Sequence, residues 1–171
     1  MTEQNHTSRL LVAASRPAGS GATLNPFVVV DGAADFIEFV VDVFGGVEIE
    51  DARAPMPDGR LIHAEIILGD THLLMAERID GWPSHPGLLQ VWVDDVAATL
   101  EDATAAGARV VTPATPFWVE TTVGRMVDPW DNLWWLFSPA PGQPDPLAPW
   151  EGEDDTVFET IDAEMRSRAS R

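Results

Sequence analysis

Cysteine is absent from all 171 residues, which excludes disulfides, thiolate metal sites and cysteine nucleophiles together. Basic residues are scarce: ten Lys and Arg stand against 28 Asp and Glu, a formal net charge of −18. That field repels phosphate backbones and anionic lipid over roughly 8 Å at physiological salt, so nucleic acid and membranes are not expected partners. A cationic ligand would gain from the same field. No apolar run approaches the roughly 20 residues of a membrane span. Residues 10–14 are apolar, but Arg16 and Pro17 interrupt them before the length of about 7–15 residues that a secretory core needs. A cytoplasmic protein is expected. The sequence also lacks a Gly-x-Ser-x-Gly elbow, a Gly-Lys-Ser/Thr phosphate loop, a dinucleotide fingerprint and a His-Glu-x-x-His pair. Four histidines leave little room for a zinc site.

What is present is a repeat. Val28-Val29-Val30-Asp31, followed by Ala34, Ile37 and Val41 at helical spacing, returns 63 residues later as Val91-Trp92-Val93-Asp94, followed by Ala97, Leu100 and Thr104. A strand feeding a helix, repeated at that interval, implies two half-domains of like fold around a shared cleft rather than a solenoid of short units. Apolar residues make up 45% of the chain, enough for one core. A strand at 25–30 runs through Asp31-Gly32 into a helix that stops at Gly45-Gly46. Strands follow at 47–54, 60–68 and 71–77, separated by the Asp58-Gly59 and Gly69-Asp70 turns. Residues 81–87, with two prolines and two glycines, form the connector. The second half offers a strand at 88–94, a helix at 96–106 and strands at 109–112, 121–127 and 133–137. The fold class is therefore α+β, with the order βαβββ twice. A flexible leader is expected over 1–24, the paired domain over 25–138 (modules about 25–80 and 88–138), and a Pro-rich acidic tail over 139–171. Val157, Phe158, Ile161 and Met165 predict a short amphipathic helix in that tail.

Paired βαβββ modules punctuated by Gly124-Arg125 and Asp128-Pro129-x-x-Asn132-x-Trp134 resemble the vicinal oxygen chelate superfamily of glyoxalases, bleomycin-resistance proteins and extradiol dioxygenases. Pro57-Asp58-Gly59-Arg60, His63-Ala64-Glu65, Gly69-Asp70 and Asp128-Pro129-Trp130 look like its PhnB-like branch. The resemblance covers about 25–138 and implies a cupped mixed sheet around a cleft. It also implies a dimer, with modules paired within one chain or exchanged between two. It is less specific for function, since one fold hosts several chemistries.

Metal-dependent members of that superfamily draw one His or Glu from each of four strands. Counting from the repeated motifs places these positions at Asn25, Leu88, about Met75 and about Trp135, which is not a divalent-metal quartet. No metal and no cofactor are expected. His63 and Glu65 share one strand face while Ile62, Ala64 and Ile66 take the other, which should meet the helix. An imidazole beside a carboxylate can act as general base, bind a polar ligand, or hold a metal with a third ligand. His72, on the face opposite Met75, reads as structural, and His85 as solvated. Alternation from the cleft-facing positions nominates Phe27, Gln90, Trp92, Trp135 and Phe137, with Met75, as walls of an aromatic pocket suited to a flat or cationic organic ligand. Trp118 and Glu120 precede a strand and can rim the cleft, Glu120 as an acid or cation partner. Arg125 can bind a ligand carboxylate or be paired internally.

Two main readings follow. In the first the chain is a metal-independent protein that binds an aromatic or cationic natural-product-like molecule, resembling bleomycin-resistance proteins. In the second it is an enzyme using His63 and Glu65, with Glu120, for proton transfer in an isomerisation, cyclisation or elimination. A metalloenzyme with relocated ligands is the least favoured. The expected partners are a small organic ligand and a second copy of the chain.

Overall fold

The computed structural model describes residues 21–118, 121–139 and 155–170. Its first half runs β1 (Phe27–Val30), α1 (Ala33–Phe44), β2 (Val47–Glu48), a 3-10 turn (Glu50–Ala52), β3 (Ala54–Pro55), β4 (Leu61–Leu68) and β5 (Thr71–Glu77). The second runs β6 (Leu88–Trp92), α2 (Val96–Ala105), β7 (Arg109–Pro116), β8 (Thr122–Val127) and β9 (Leu133–Ser138), and α3 (Thr156–Ala169) closes the chain. The strand expected over 47–54 is broken by the turn at Glu50–Ala52, and Pro55 brings no N–H to continue it. The strand expected at 109–112 instead runs to Pro116 through two register shifts against β8.

Each half builds one mixed sheet. In the first, the order is β1-β5-β4-β2, with β3 also on β4; in the second it is β6-β9-β8-β7. The leading strand is parallel to the last one in both, β1 with β5 and β6 with β9, and the other pairs are antiparallel. The 63-residue repeat is thus a structural one: Phe27 pairs with Leu74 as Gln90 pairs with Trp135.

The apolar face of each sheet carries its helix. Val28 and Val30 from β1, Ala64 and Ile66 from β4 and Leu73 and Met75 from β5 bury against Phe36, Ile37 and Val40 of α1. Val96 and Leu100 of α2 lie so close to β8 that a Cβ on Gly124 would meet Val96 Cγ1 at 2.5 Å. The helices touch each other, and one core cluster spans both halves. Trp130 sets its ring edge-on to Phe36 at 5.1 Å, Phe44 lies 4.8 Å from Trp134, and Trp130 Nε1 donates to the Asp31 carbonyl at 2.7 Å. The halves therefore fold as one unit.

Helix capping differs between the repeats. Asp95 caps α2 with its own side chain, accepting from the Ala97 and Ala98 N–H groups. Gly32 stands at the matching place before α1, and the cap carboxylate comes instead from Glu77 at the end of β5, which accepts from Gly32 and Ala33.

Asp128 organises the β8–β9 turn. Its buried carboxylate accepts from the Trp130 and Asn132 N–H groups, Asn132 Nδ2 and Trp134 Nε1, all within 2.9 Å. Asp131 in the same turn is held at φ 68°. Burial raises the Asp128 carboxyl above its ordinary value although the four donors pull it down.

Asp128→Ala strands buried donors at about 1–3 kcal/mol each, so urea denaturation should show a loss of about 3 kcal/mol or more. Gly124→Ala, which forces α2 away from β8, should lose about 1–3 kcal/mol. Unchanged midpoints would contradict both roles.

Candidate functional site

With the helices on one side, the remaining strand positions face outward. On the first sheet Glu65 of β4 pairs with Leu74 of β5, and Ile67 with His72, so His63, Glu65, His72 and Leu74 share the open face. Glu65 holds two imidazoles there: Oε1 accepts from His63 Nε2 at 2.9 Å and Oε2 from His72 Nδ1 at 3.0 Å. The hydrogen bond from His63, then that from His72, holds the Glu65 carboxyl below its ordinary value. His72 is buried, and its backbone N–H donates to Asn25 Oδ1 at 3.1 Å. The Phe27 and His63 rings lie 6.3 Å apart. His63 remains half-exposed and presents Nδ1 for proton transfer or a polar contact.

On the second sheet the register places Gln90, Trp92, Trp135, Phe137, Val123 and Arg125 on one face. Trp92 and Trp135 lie 5.5 and 6.4 Å from Phe137. The Arg125 guanidinium sits 3.8 Å above the Trp135 ring, and Arg125 Nη1 donates to Thr112 Oγ1 and to the Val157 carbonyl of α3. Desolvation lowers its pKa to about 10.

Between the halves lies a cavity of about 690 Å³. Its apolar wall comes from Val43 and Phe44 of α1, Leu73, Leu89, Val91 and Trp134. Its polar rim comes from Asp70 in the β4–β5 turn, Asp94 and Asp95 before α2, and Asp102 on α2. Gln90 and Trp92 also line it, because β6 is an edge strand around which the cavity wraps. Trp92 keeps 58% of its surface exposed.

The expected site residues thus divide. Phe27, His63 and Glu65 stand together on the first sheet, and Gln90, Trp92, Arg125, Trp135 and Phe137 on the second. Among the described residues no hydrogen bond or ring contact joins the two groups. Met75 does not line a cleft: it pairs with Ala64, is fully buried beneath α1, and the outward position is Leu74, one residue earlier. Trp118 is exposed just before the undescribed residues, and Glu120 lies outside the described residues. His72, read as structural, is part of the Glu65 cluster. The one-residue shift that moves Met75 inward turns His72 outward, so a correct register would have found it. Asp70, Asp94 and Asp95 were visible only as turn and helix-start punctuation, and Asp102 only as a polar position of α2.

The metal positions of the resembled superfamily become Asn25, Leu74, Leu88 and Trp135. Asn25 Oδ1 already accepts from Ala22 and His72 N–H groups, Leu74 and Leu88 bring no donor, and a guanidinium covers Trp135. Among the described residues no group of three or more His, Asp or Glu side chains is placed to hold a metal ion. This donor set does not fit a divalent ion.

The sequence model of the Glyoxalase/Bleomycin resistance protein/Dioxygenase superfamily matches residues 22–136. An uncharacterized protein of Mycobacterium bovis is 33% identical over 127 residues, covering 68% of this chain and 82% of that protein. A PhnB protein from Bacillus cereus superposes with a TM-score of 0.56 at 13% identity, covering 69% of this chain and all of that one. The fosfomycin resistance protein FosX from Listeria monocytogenes superposes at 0.53 and 14%, covering 66% and 89%. TioX from Micromonospora sp. ML1 gives 0.54 and 21%, covering 70% and 98%. At these identities the solved structures speak for the fold. No helix among the described residues is long and apolar enough to cross a membrane.

Glu65→Gln should lower stability at pH 7 by about 1–2 kcal/mol, since two donors lose a charged acceptor. Because folding depresses the Glu65 pKa from 4.5, that stabilisation is complete above this value and lost as pH falls through the lower folded one. Denaturation at neutral and acid pH should therefore show the gap between the two proteins closing toward acid. A gap that widens toward acid would contradict the account.

Proposed function

From the premise that this chain belongs to the Glyoxalase/Bleomycin resistance protein/Dioxygenase superfamily, we propose that it is a small-molecule-binding protein whose ligand is an aromatic organic cation. The observation that carries this reading is the seam between the halves, where Trp92 and a wall of apolar side chains face Asp70, Asp94, Asp95 and Asp102 across a cavity of about 690 Å³. Such a volume takes a drug-sized molecule, and a mostly apolar wall with a few charges supplies affinity and orientation separately. The ring meets Trp92 and the ammonium meets the aspartates, a contact that adds about 0.5–2 kcal/mol when a tryptophan face is also in reach. The overall charge of −18 draws cations toward the seam. This reading requires no metal and no cofactor.

A second copy is the expected macromolecular partner. β1 and β6 are edge strands whose Phe27, Leu88 and Trp92 are exposed, and a homodimer would cover them.

One observation favours a second, enzymatic reading. Glu65 orients two imidazoles, leaving the half-exposed His63 as a positioned base on the first sheet. It would remove a proton from carbon and return it at another position in an isomerisation, or pass it to the departing group as the new double bond forms in an elimination. Under this reading His63→Ala abolishes turnover while the chain stays folded.

Tryptophan fluorescence titrations with naphthylmethylammonium, neutral naphthylmethanol and naphthoate test the first reading. The cation should bind best, and the combined Asp70→Asn and Asp102→Asn change should weaken it about tenfold, equal to 1.4 kcal/mol, and flatten its salt dependence. If neither this probe nor a wider panel of aromatic cations alters the emission, the proposal fails.

A further inference from the structure

Of the seven arginines among the described residues, six pair with a carboxylate: Arg53 with Glu48, Arg60 with Asp58, Arg78 with Asp31, Arg109 with Glu164, Arg166 with Asp162 and Arg168 with Glu164. Arg125 is the exception and the most deeply buried, at 1% exposure. In a chain with 28 acidic residues, the guanidinium that most needs an anion has no ion pair among the described residues. Its Nε is buried with no hydrogen-bond partner. Leaving a charged donor unmade in the interior is costly, and so calls for an explanation.

The cover over Arg125 is α3. This helix sits on the outward face of the second sheet, where its Val157 carbonyl accepts from Arg125 Nη1 at 2.7 Å and Val157 packs on Val123 and Phe137. The remaining ties are polar: Thr160 with Thr112, Glu164 with Arg109, and Arg168 with the Asp131 carbonyl. Val157 is the one apolar residue of α3 that is fully buried, while Phe158 and Met165 are exposed. These ties are part-buried, but no residue of α3 belongs to the core cluster that joins the halves, so the helix can open ahead of that core.

We infer that Arg125 anchors a second ligand site, for an aromatic carboxylate, which α3 covers by placing the Val157 carbonyl where a carboxylate oxygen would bind. The geometry of that site is already built. Trp135 lies beneath the guanidinium, Phe137 stands beside the Trp135 ring, and Thr112 Oγ1 accepts from the same Nη1 as the Val157 carbonyl. A carboxylate oxygen that displaces the carbonyl from Nη1 brings a full negative charge to a guanidinium that has none among the described residues, strengthening a bond that only the donor's charge now assists. The ligand's ring takes the place of Val157 against Phe137. Apparent affinity is then multiplied by the fraction of chains with α3 undocked, so the helix sets the threshold for occupancy. This site is separate from the seam and does not depend on the reading given for it.

Hydrogen exchange on the unmodified full chain tests the inference, with naphthoate as the probe and naphthylmethanol as the neutral control. Naphthoate should speed exchange of the α3 amides, and the alcohol should not. Val157→Gly, which removes the apolar tie, should bind naphthoate about tenfold more tightly than the unmodified chain, while naphthylmethylammonium affinity stays the same. Adding Arg125→Met should remove that gain. Because the chain is acidic, salt should strengthen naphthoate binding and weaken that of the cation, so failure here and failure at the seam are distinguishable. The inference is overturned if naphthoate leaves α3 exchange unchanged, or if the gain in Val157→Gly survives Arg125→Met.

Discussion

The two helices share one apolar core, and every other feature of the molecule is placed by it. α1 and α2 touch, Phe44 reaches Trp134 across the halves, and the inner faces of both sheets are committed to the same cluster. Because strand side chains alternate, that commitment forces His63, Glu65 and His72 to the outside of one sheet and Trp92, Arg125, Trp135 and Phe137 to the outside of the other. The seam where the halves meet stays open at the edge strand β6, and four aspartates border it. Burial decides the rest of the map.

Charge is managed unevenly over that map. All ten basic residues are arginines, and most of those described are tied to carboxylates at the surface, where each pair contributes little. The aspartates of the seam have no arginine among the residues that line it. The reverse holds on the second sheet, where a buried arginine meets aromatic rings, a hydroxyl and a carbonyl but, among the described residues, no carboxylate. One chain thus gathers aspartates beside tryptophan at the seam and buries an arginine under α3.

Much of the fold was legible because strand parity and helix period repeat with the same 63-residue offset, and two independent copies of a pattern constrain each other. The repeat placed Phe27 against Gln90 correctly. It did not fix β5, because that register was counted from a turn whose length is uncertain by one residue, and one residue exchanges Met75 for Leu74 and hides the role of His72. The break at Glu50–Ala52 does leave a mark, since the apolar positions pass from odd (Val47, Ile49) to even (Ala52, Ala54) across Glu50-Asp51, a slip of parity that one strand over 47–54 ignores. The tail helix was expected at 157–165, but its docking on Arg125 rests on backbone and hydroxyl groups, which leave no pattern in a sequence. The seam is formed by residues distant along the chain, and its aspartates read locally as a turn, a helix start and a polar helix face.

The central claim is that the seam between the halves, rather than the His63 face, receives an aromatic cation. A map of amide and indole chemical-shift changes during titration with naphthylmethylammonium tests it most directly. The account predicts that the largest changes fall on Trp92, Gln90, Asp70 and Asp102, with the His63, Glu65 and His72 signals unmoved. Changes concentrated on His63, Glu65 and His72, with the seam silent, would contradict it and move the ligand to the first sheet.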